Sequence, residues 1–149
     1  MPNLRGIWWY DFQDDGWRPE YNENNFGMVR ADLTAKPAYW VMKDIARFAE
    51  RSEFVRQLDT SDAQIHALQF RQPDGKGALA LWSEGGERRV RLHSPARIAA
   101  VQIREVGRAS VERQWCARDS IAADEIALSL NDTPIIVSGA IEGVSVKPA

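Results

Sequence analysis

From about residue 64 to the end of the chain, apolar and polar positions alternate in short runs separated by turn residues. Leu68 and Phe70 occupy one face of a strand expected from Gln64 to Arg71. Pro73-Asp74-Gly75-Lys76-Gly77 then turns the chain, and Leu79 and Leu81 continue an inward face up to Trp82-Ser83. Glu84-Gly85-Gly86-Glu87 reads as a second hairpin turn. Further strands are expected around Val90 and Leu92, Val101 and Ile103, Ile126 to Leu130, and Ile135 and Val137. Seven or eight short strands with no helical stretch among them predict a mainly β fold, an antiparallel β-sandwich of two sheets packed face to face.

The first third of the chain has a different rhythm. Gly6 to Phe12 is an apolar and aromatic run stopped by Gln13-Asp14-Asp15-Gly16, the pattern of a buried strand leaving into a loop. From Gln13 to about Lys36 there is little periodicity, and loops of that length are usually functional or packed over something. Thr34-Ala35-Lys36-Pro37 suits a helix start, with Pro37 in the first turn where its missing N–H costs nothing. Ala38, Val41, Met42, Ile45, Phe48 and Ala49 recur at three- and four-residue spacing, so the helix should run to about Arg51. Tyr39 and Trp40 widen its apolar stripe, which predicts two neighbours for it to pack against. The polar stretch Asp59-Thr60-Ser61-Asp62 marks a boundary. The expected organisation is a strand-loop-helix unit over 1–51, a linker over 52–62 and the sandwich over 63–149.

Composition removes several function classes. A net charge of −2 and a pI of about 5.7 leave no electrostatic footprint for nucleic acid. The longest apolar runs, such as Pro134-Ile135-Ile136-Val137, fall far short of the roughly 20 residues that cross a bilayer. Cys116 is the only cysteine, which rules out an internal disulfide and disfavours a thiolate metal site. No metal or cofactor is expected. Met1-Pro2-Asn3-Leu4-Arg5 is not the start of a secretory signal, and composition favours neither the cytoplasm nor the exterior.

Three motifs add a resemblance. Gly6-Ile7-Trp8-Trp9-Tyr10-Asp11-Phe12, then Glu23-Asn24-Asn25-Phe26-Gly27-Met28-Val29, then Lys36-Pro37-Ala38-Tyr39 follow one another in the order and spacing found at the end of a clan A glycoside hydrolase barrel. The chain resembles glycoside hydrolase family 39 and its bacterial relatives, whose (β/α)8 barrel is followed by a β-sandwich. Asp74-Gly75, Ala80-Leu81-Trp82, Val106-Gly107 and Thr133-Pro134-Ile135-Ile136-Val137 are similar to turn and strand motifs of that sandwich. Glu105-Val106-Gly107 departs from it, standing where an Asp-x-Gly-like turn belongs. The resemblance implies that residues 1–51 are a remnant comprising the last barrel strand, loop and helix, and that the partner of the parent enzyme is carbohydrate. If that parent is secreted or periplasmic, its signal lies upstream of Met1.

Glycoside hydrolysis uses two carboxyl groups flanking the scissile bond, about 5 to 5.5 Å apart in retaining enzymes. The resemblance implies that both come from the fourth and seventh barrel strands, before Met1, so no catalytic residue is assigned here. Asp11, Asp14, Asp15, Glu20 and Glu23 could in principle supply a catalytic pair, a calcium site, or only solvated and capping groups. The last is the expectation. Trp8, Trp9, Tyr10 and Trp17 are the candidate sugar-contacting residues, since barrel active sites form at the C-terminal ends of the strands. Alternation points Trp8 and Tyr10 one way and Trp9 the other; a purely packing role for all three stays open.

His66 and His93 are expected at a core edge and in solvent, neither suggesting a triad, and Ser83 and Ser94 have no histidine at a telling spacing. Arg88, Arg89, Arg91 and Arg97 read as a solvated strand face. The alternative to an accessory domain is a carbohydrate-binding module with Trp82 or Trp115 as its flat platform. An isolated barrel strand leaves an unpaired edge and exposed aromatics. Something is therefore expected to shield residues 6 to 12: the sandwich, a second copy, or a polypeptide carrying the missing barrel.

Overall fold

The computed structural model describes residues 8–98, 100–107, 112–116, 123–141 and 143–149, the stretch 112–116 by its backbone. A short 3-10 turn over Asn22–Asn25 and one α-helix, α1 (Pro37–Glu50), precede the strands. These are β1 (Glu53–Gln57), β2 (Ile65–Arg71), β3 (Gly77–Ser83), β4 (Arg88–Ile98), β5 (Ala100–Glu105), β6 (Glu112–Cys116), β7 (Ala123–Leu130), β8 (Ile135–Gly139) and β9 (Ser145–Pro148). Every pairing between them is antiparallel. One sheet has the order β1-β2-β3-β8-β5-β6, the other β7-β4-β9. The fold is thus mainly antiparallel β in two sheets, as the alternation predicts.

The core lies between them. Leu79 and Leu81 on β3 and Val137 on β8 face Val90 and Leu92 on β4, Ile126 and Leu130 on β7 and Val146 on β9, all but excluded from water. At roughly 1.5–3 kcal/mol for each fully buried aliphatic side chain, this layer is the main source of stability.

Register corrects two sequence expectations. Leu68 pairs with Ala80 and Phe70 with Ala78, so Leu68 and Phe70 share a face with the alanines and not with Leu79 and Leu81. The inward residues of β2 are Ile65 and Ala67. The outer face carries apolar residues too because α1 packs there: the rings of Phe48 and Phe70 lie edge to face at 4.8 Å. The Glu84–Glu87 turn is not a hairpin either, since β3 and β4 belong to different sheets. Gly85 and Gly86 take φ of +71° and +115°, and the Ser83 hydroxyl donates to Gly86 O at 2.9 Å, redirecting the chain across the sandwich.

The Pro73–Gly77 turn forms where expected. Gly75 adopts φ +81°, Gln72 N donates to Lys76 O at 2.9 Å, and Asp74 Oδ1 accepts from Lys76 N at 3.1 Å. Residues 53–57, inside the expected linker, form β1 at the edge of the larger sheet.

The helix starts at Pro37, as its sequence signals indicate, and ends at Glu50. Its sheet-facing side is fixed at both ends. Phe48 meets Phe70 near the C-terminus, while Asp44 Oδ2 accepts from Gly107 N at 2.9 Å and its other oxygen lies 3.6 Å from Arg104. Gly107, with φ +80°, is required at that contact because a Cβ there would fall 2.5 Å from Val41 Cγ2. The second neighbour predicted for α1 is absent among the described residues: no helix residue is fully buried, and Ile45 is exposed.

Candidate functional site

The strand expected over Gly6 to Phe12 is corrected in its described part. Residues 8–12 form no strand, and 6 and 7 lie outside the described residues. The reason is where the backbone hydrogen bonds go. Asp11 N donates to Phe26 O at 3.1 Å, Met28 N to Asp11 O at 3.0 Å, Val29 N to Phe12 O at 2.9 Å and Asp14 N to Val29 O at 3.0 Å. The segment is thus stitched to 26–29 of its own loop in single bridges, Gln13 to Val29 and Val29 to Ala35, not in a continuous ladder. Val29, 4% exposed, is the small apolar centre of this unit.

Asp14 holds the unit together. Its Oδ1 accepts from Gly27 N at 2.9 Å and from Lys36 Nζ at 2.5 Å, and Lys36 Nζ also donates to Asn25 O at 3.0 Å. A Cβ on Gly27 would lie 2.3 Å from Asp14 N, so only glycine lets the two strands of the loop approach so closely. The aromatic-strand, Asn-Phe-Gly and Lys-Pro-Ala-Tyr motifs are therefore one physical object, joined through a carboxylate that sequence reading could place only in an acidic cluster.

That cluster has no shared centre. Asp14 is buried in its ion pair, and Asp11 accepts from the backbone N–H of Phe12. Asp15, Glu20 and Glu23 are exposed, Glu23 taking a 3.4 Å hydrogen bond from the Tyr21 hydroxyl. Among the described residues no group of three His, Cys, Asp or Glu side chains could hold a metal. Asp14 and Asp11 thus take backbone N–H groups, while the other three carboxylates face solvent.

The four candidate aromatics all face solvent: Trp8 is 86% exposed, Trp17 75%, Tyr10 72% and Trp9 49%. They are not part of the core among the described residues. Trp9 is the best anchored, its indole N–H donating to Phe26 O at 2.9 Å, and Tyr10 meets the Phe26 ring edge-on at 6.3 Å. Trp17 makes no ring contact among the described residues. Phe12, Tyr21 and Phe26 are exposed as well, so this end of the molecule presents a contiguous stretch of chain rich in uncovered aromatic rings.

Trp82 is half-buried, with the His66 imidazole stacked on the indole at 4.7 Å and 16°, so one face of the platform is already occupied. The Trp115 side chain and the face expected of Arg97 lie outside the described residues. His93 is exposed, the Ser83 and Ser94 side chains are buried, and the Ser83 hydroxyl donates to Gly86 O. No helix among the described residues is long and apolar enough to cross a membrane.

A feature that sequence reading missed is a cleft of about 530 Å³ between the C-terminal end of α1 and the outer face of β5 and β8. Arg47 and Arg51 stand on the helix side, and Gln102, Arg104 and Ser138 on the sheet side. The available signal was the period-two set Gln102 and Arg104 opposite Ser138, polar on a face that a helix partly covers.

The two-sheet antiparallel sandwich with a helix laid on one outer face, preceded by an aromatic loop tied to the helix start, is similar to part of a solved glycoside hydrolase. No protein-family model matches the sequence, and no curated protein matches it. Among solved structures it is similar to a family 39 glycoside hydrolase from the gut symbiont Bacteroides cellulosilyticus WH2, with 26% identity and a TM-score of 0.68. The match covers 87% of this chain and 25% of that one, so the chain spans about a quarter of the length of this relative.

Proposed function

We infer that this chain is the C-terminal, non-catalytic portion of a glycoside hydrolase acting on poly- or oligosaccharides. Residues 1–51 correspond to the last strand, loop and helix of its (β/α)8 barrel, with residues 8–12 completing a strand only beside the rest of that barrel, and the sheets from β1 onward are an accessory β-sandwich that braces it. The observation carrying this reading is the extent of the likeness. Coverage of 87% is more than residues 53–149 can supply, 97 of 149, so the match to the family 39 enzyme reaches into the loop-helix segment as well.

Two features support it. The aromatic end and Ile45 on α1 are uncovered, as surfaces are when a neighbouring part of the same enzyme normally packs on them. Asp14, the buried carboxylate of the loop, is committed to Lys36 and the Gly27 N–H, which fits a structural role for it. Trp8, Trp9, Tyr10 and Trp17 would then border the sugar site of the assembled barrel. The partners of this portion are the missing barrel segment, or a second copy in its absence, and carbohydrate through the parent enzyme.

The test is activity of the purified chain on aryl-glycosides together with the coding frame upstream of Met1. No turnover, and an upstream frame encoding seven strand-helix units with two glutamates at strand ends, are the expected results. Turnover that disappears in Glu23→Gln would overturn the assignment.

A further inference from the structure

We propose that the cleft between the end of α1 and the outer face of β5 and β8 is a binding site for a carboxylate-bearing sugar unit. The sugar class rests on the carbohydrate reading above; the anionic character rests on the cleft itself. Its volume, about 530 Å³, falls within the ~300–1,000 Å³ range of small-molecule sites. A smaller hollow of about 250 Å³ shares Gln72, Gln102 and Ser138 with it and extends to the Lys76–Asp74 ion pair, lengthening the groove toward the β2–β3 turn.

The lining is polar and positive. Arg47, Arg51 and Arg104 contribute three guanidinium groups against one carboxylate, Glu50. Arg104 leans on Asp44 at 3.6 Å, but Arg47 and Arg51 have no ion-pair partner among the described residues. A cation near a helix C-terminus is favourable in its own right, which accounts for the presence of Arg47 and Arg51. It does not account for what faces them.

Gln102 and Ser138 are direct cross-strand partners on the sheet floor, and Arg104 sits two residues along on the same face. Their side chains, with that of Gln72, offer amide and hydroxyl groups that can donate to and accept from sugar hydroxyls. Ser52 Oγ, on the helix side of the cleft, is buried with no hydrogen-bond partner among the described residues. A planar guanidinium fork matches a carboxylate in two parallel hydrogen bonds, whereas the surrounding amides match hydroxyls. Phe48 and Ile136 supply the small apolar part of the wall, enough for the C–H face of one ring. A neutral sugar would leave the arginines unused, and a bare anion would leave the amides unused.

The test is a two-dimensional amide NMR titration of the full chain with tri-galacturonic acid, neutral xylotriose and inorganic phosphate in parallel. Tri-galacturonic acid is expected to shift the amides of Arg51, Gln72, Gln102 and Ser138 saturably, with weaker binding as salt rises. Xylotriose and phosphate are expected to bind at least tenfold more weakly. The double substitution Arg47→Ala with Arg51→Ala, at two exposed positions, is expected to weaken uronate binding about tenfold or more while leaving the spectrum otherwise dispersed. Arg51→Lys, which keeps the charge but loses the fork, should fall between.

Equal response to xylotriose, a response to phosphate alone, no response to uronate, or full uronate binding by the double variant would each overturn the site. None of these results bears on whether the chain belongs to a larger hydrolase, which the activity assay and the upstream frame decide.

Discussion

Asp14 and Lys36, 22 residues apart, meet at 2.5 Å with the carboxylate side chain only 6% exposed, and the same carboxylate oxygen takes the Gly27 N–H. Removing one member leaves the other desolvated without a partner, and breaking a fully buried pair this way costs about 3–5 kcal/mol. Lys36 retains some water contact, so Asp14→Ala is expected to cost about 2–3 kcal/mol within this unit. Because the loop can open on its own, the measurement is amide hydrogen exchange: Asp14, Gly27 and Val29 should exchange faster in the variant while Leu79 and Val137 do not. Unchanged exchange at Gly27 would mean that the ion pair holds nothing.

Gly107 and Val41 offer a separable steric test. Gly107→Ala adds a Cβ 2.5 Å from Val41 Cγ2 at a backbone φ of +80°, and is expected to lower stability by about 1–3 kcal/mol. In a Val41→Ala background the clash disappears and only the backbone strain remains. The double-mutant cycle should therefore show a favourable coupling of the two substitutions, read from urea midpoints at constant m.

Leu79 and Leu68 occupy adjacent strands on opposite faces of one sheet. Leu79→Ala is expected to cost about 2–5 kcal/mol, because the site lies between two sheets that cannot close on the void. Leu68→Ala should cost clearly less, since its side chain is half-buried on the helix side. Equal losses in denaturant unfolding would contradict the register described above.

In the β2–β3 turn, the Lys76 ammonium donating to Asp74 Oδ2 at 2.7 Å, aided by the Lys76 backbone N–H, holds the Asp74 carboxyl below the usual value of about 3.8. A carboxylate lowered in this way stabilises the turn above its unfolded pKa, and the contribution is lost as pH falls through the folded value, below about 3.8. Carbon-detected NMR titration should find the Asp74 midpoint under that value. In Lys76→Met it should move upward but stay slightly depressed, because the backbone N–H remains.

Much of the sandwich was legible because its strands carry their own period and its turns their own residues: Gly75 at φ +81° and Asp74 capping Lys76 follow from Pro-Asp-Gly-Lys. What sequence could not fix was which face of β2 looks inward, since both faces are apolar where a helix covers the outer one. β1 was unreadable for a related reason, its residues being exposed on an edge and showing no alternation of burial. At the aromatic end, Trp8, Trp9, Tyr10 and Trp17 were identifiable as unusual, yet their exposure depends on what packs over them, which no local pattern encodes. Asp14 looked like its acidic neighbours because its partner Lys36 is distant in sequence, and the polar pair Gln102 and Arg104 was readable while the cleft was not, because the cleft exists only where α1 crosses a sheet.

The edge at β1 also governs how neighbouring molecules meet. Register slips between Phe54 and Arg56 as β1 pairs with β2, and Glu53 reaches across to Arg71 at 3.5 Å. A kinked border studded with opposite charges is a poor template for another strand. In crowded solution, growth of intermolecular fibrils by addition at this margin is therefore disfavoured, whatever association the aromatic end promotes.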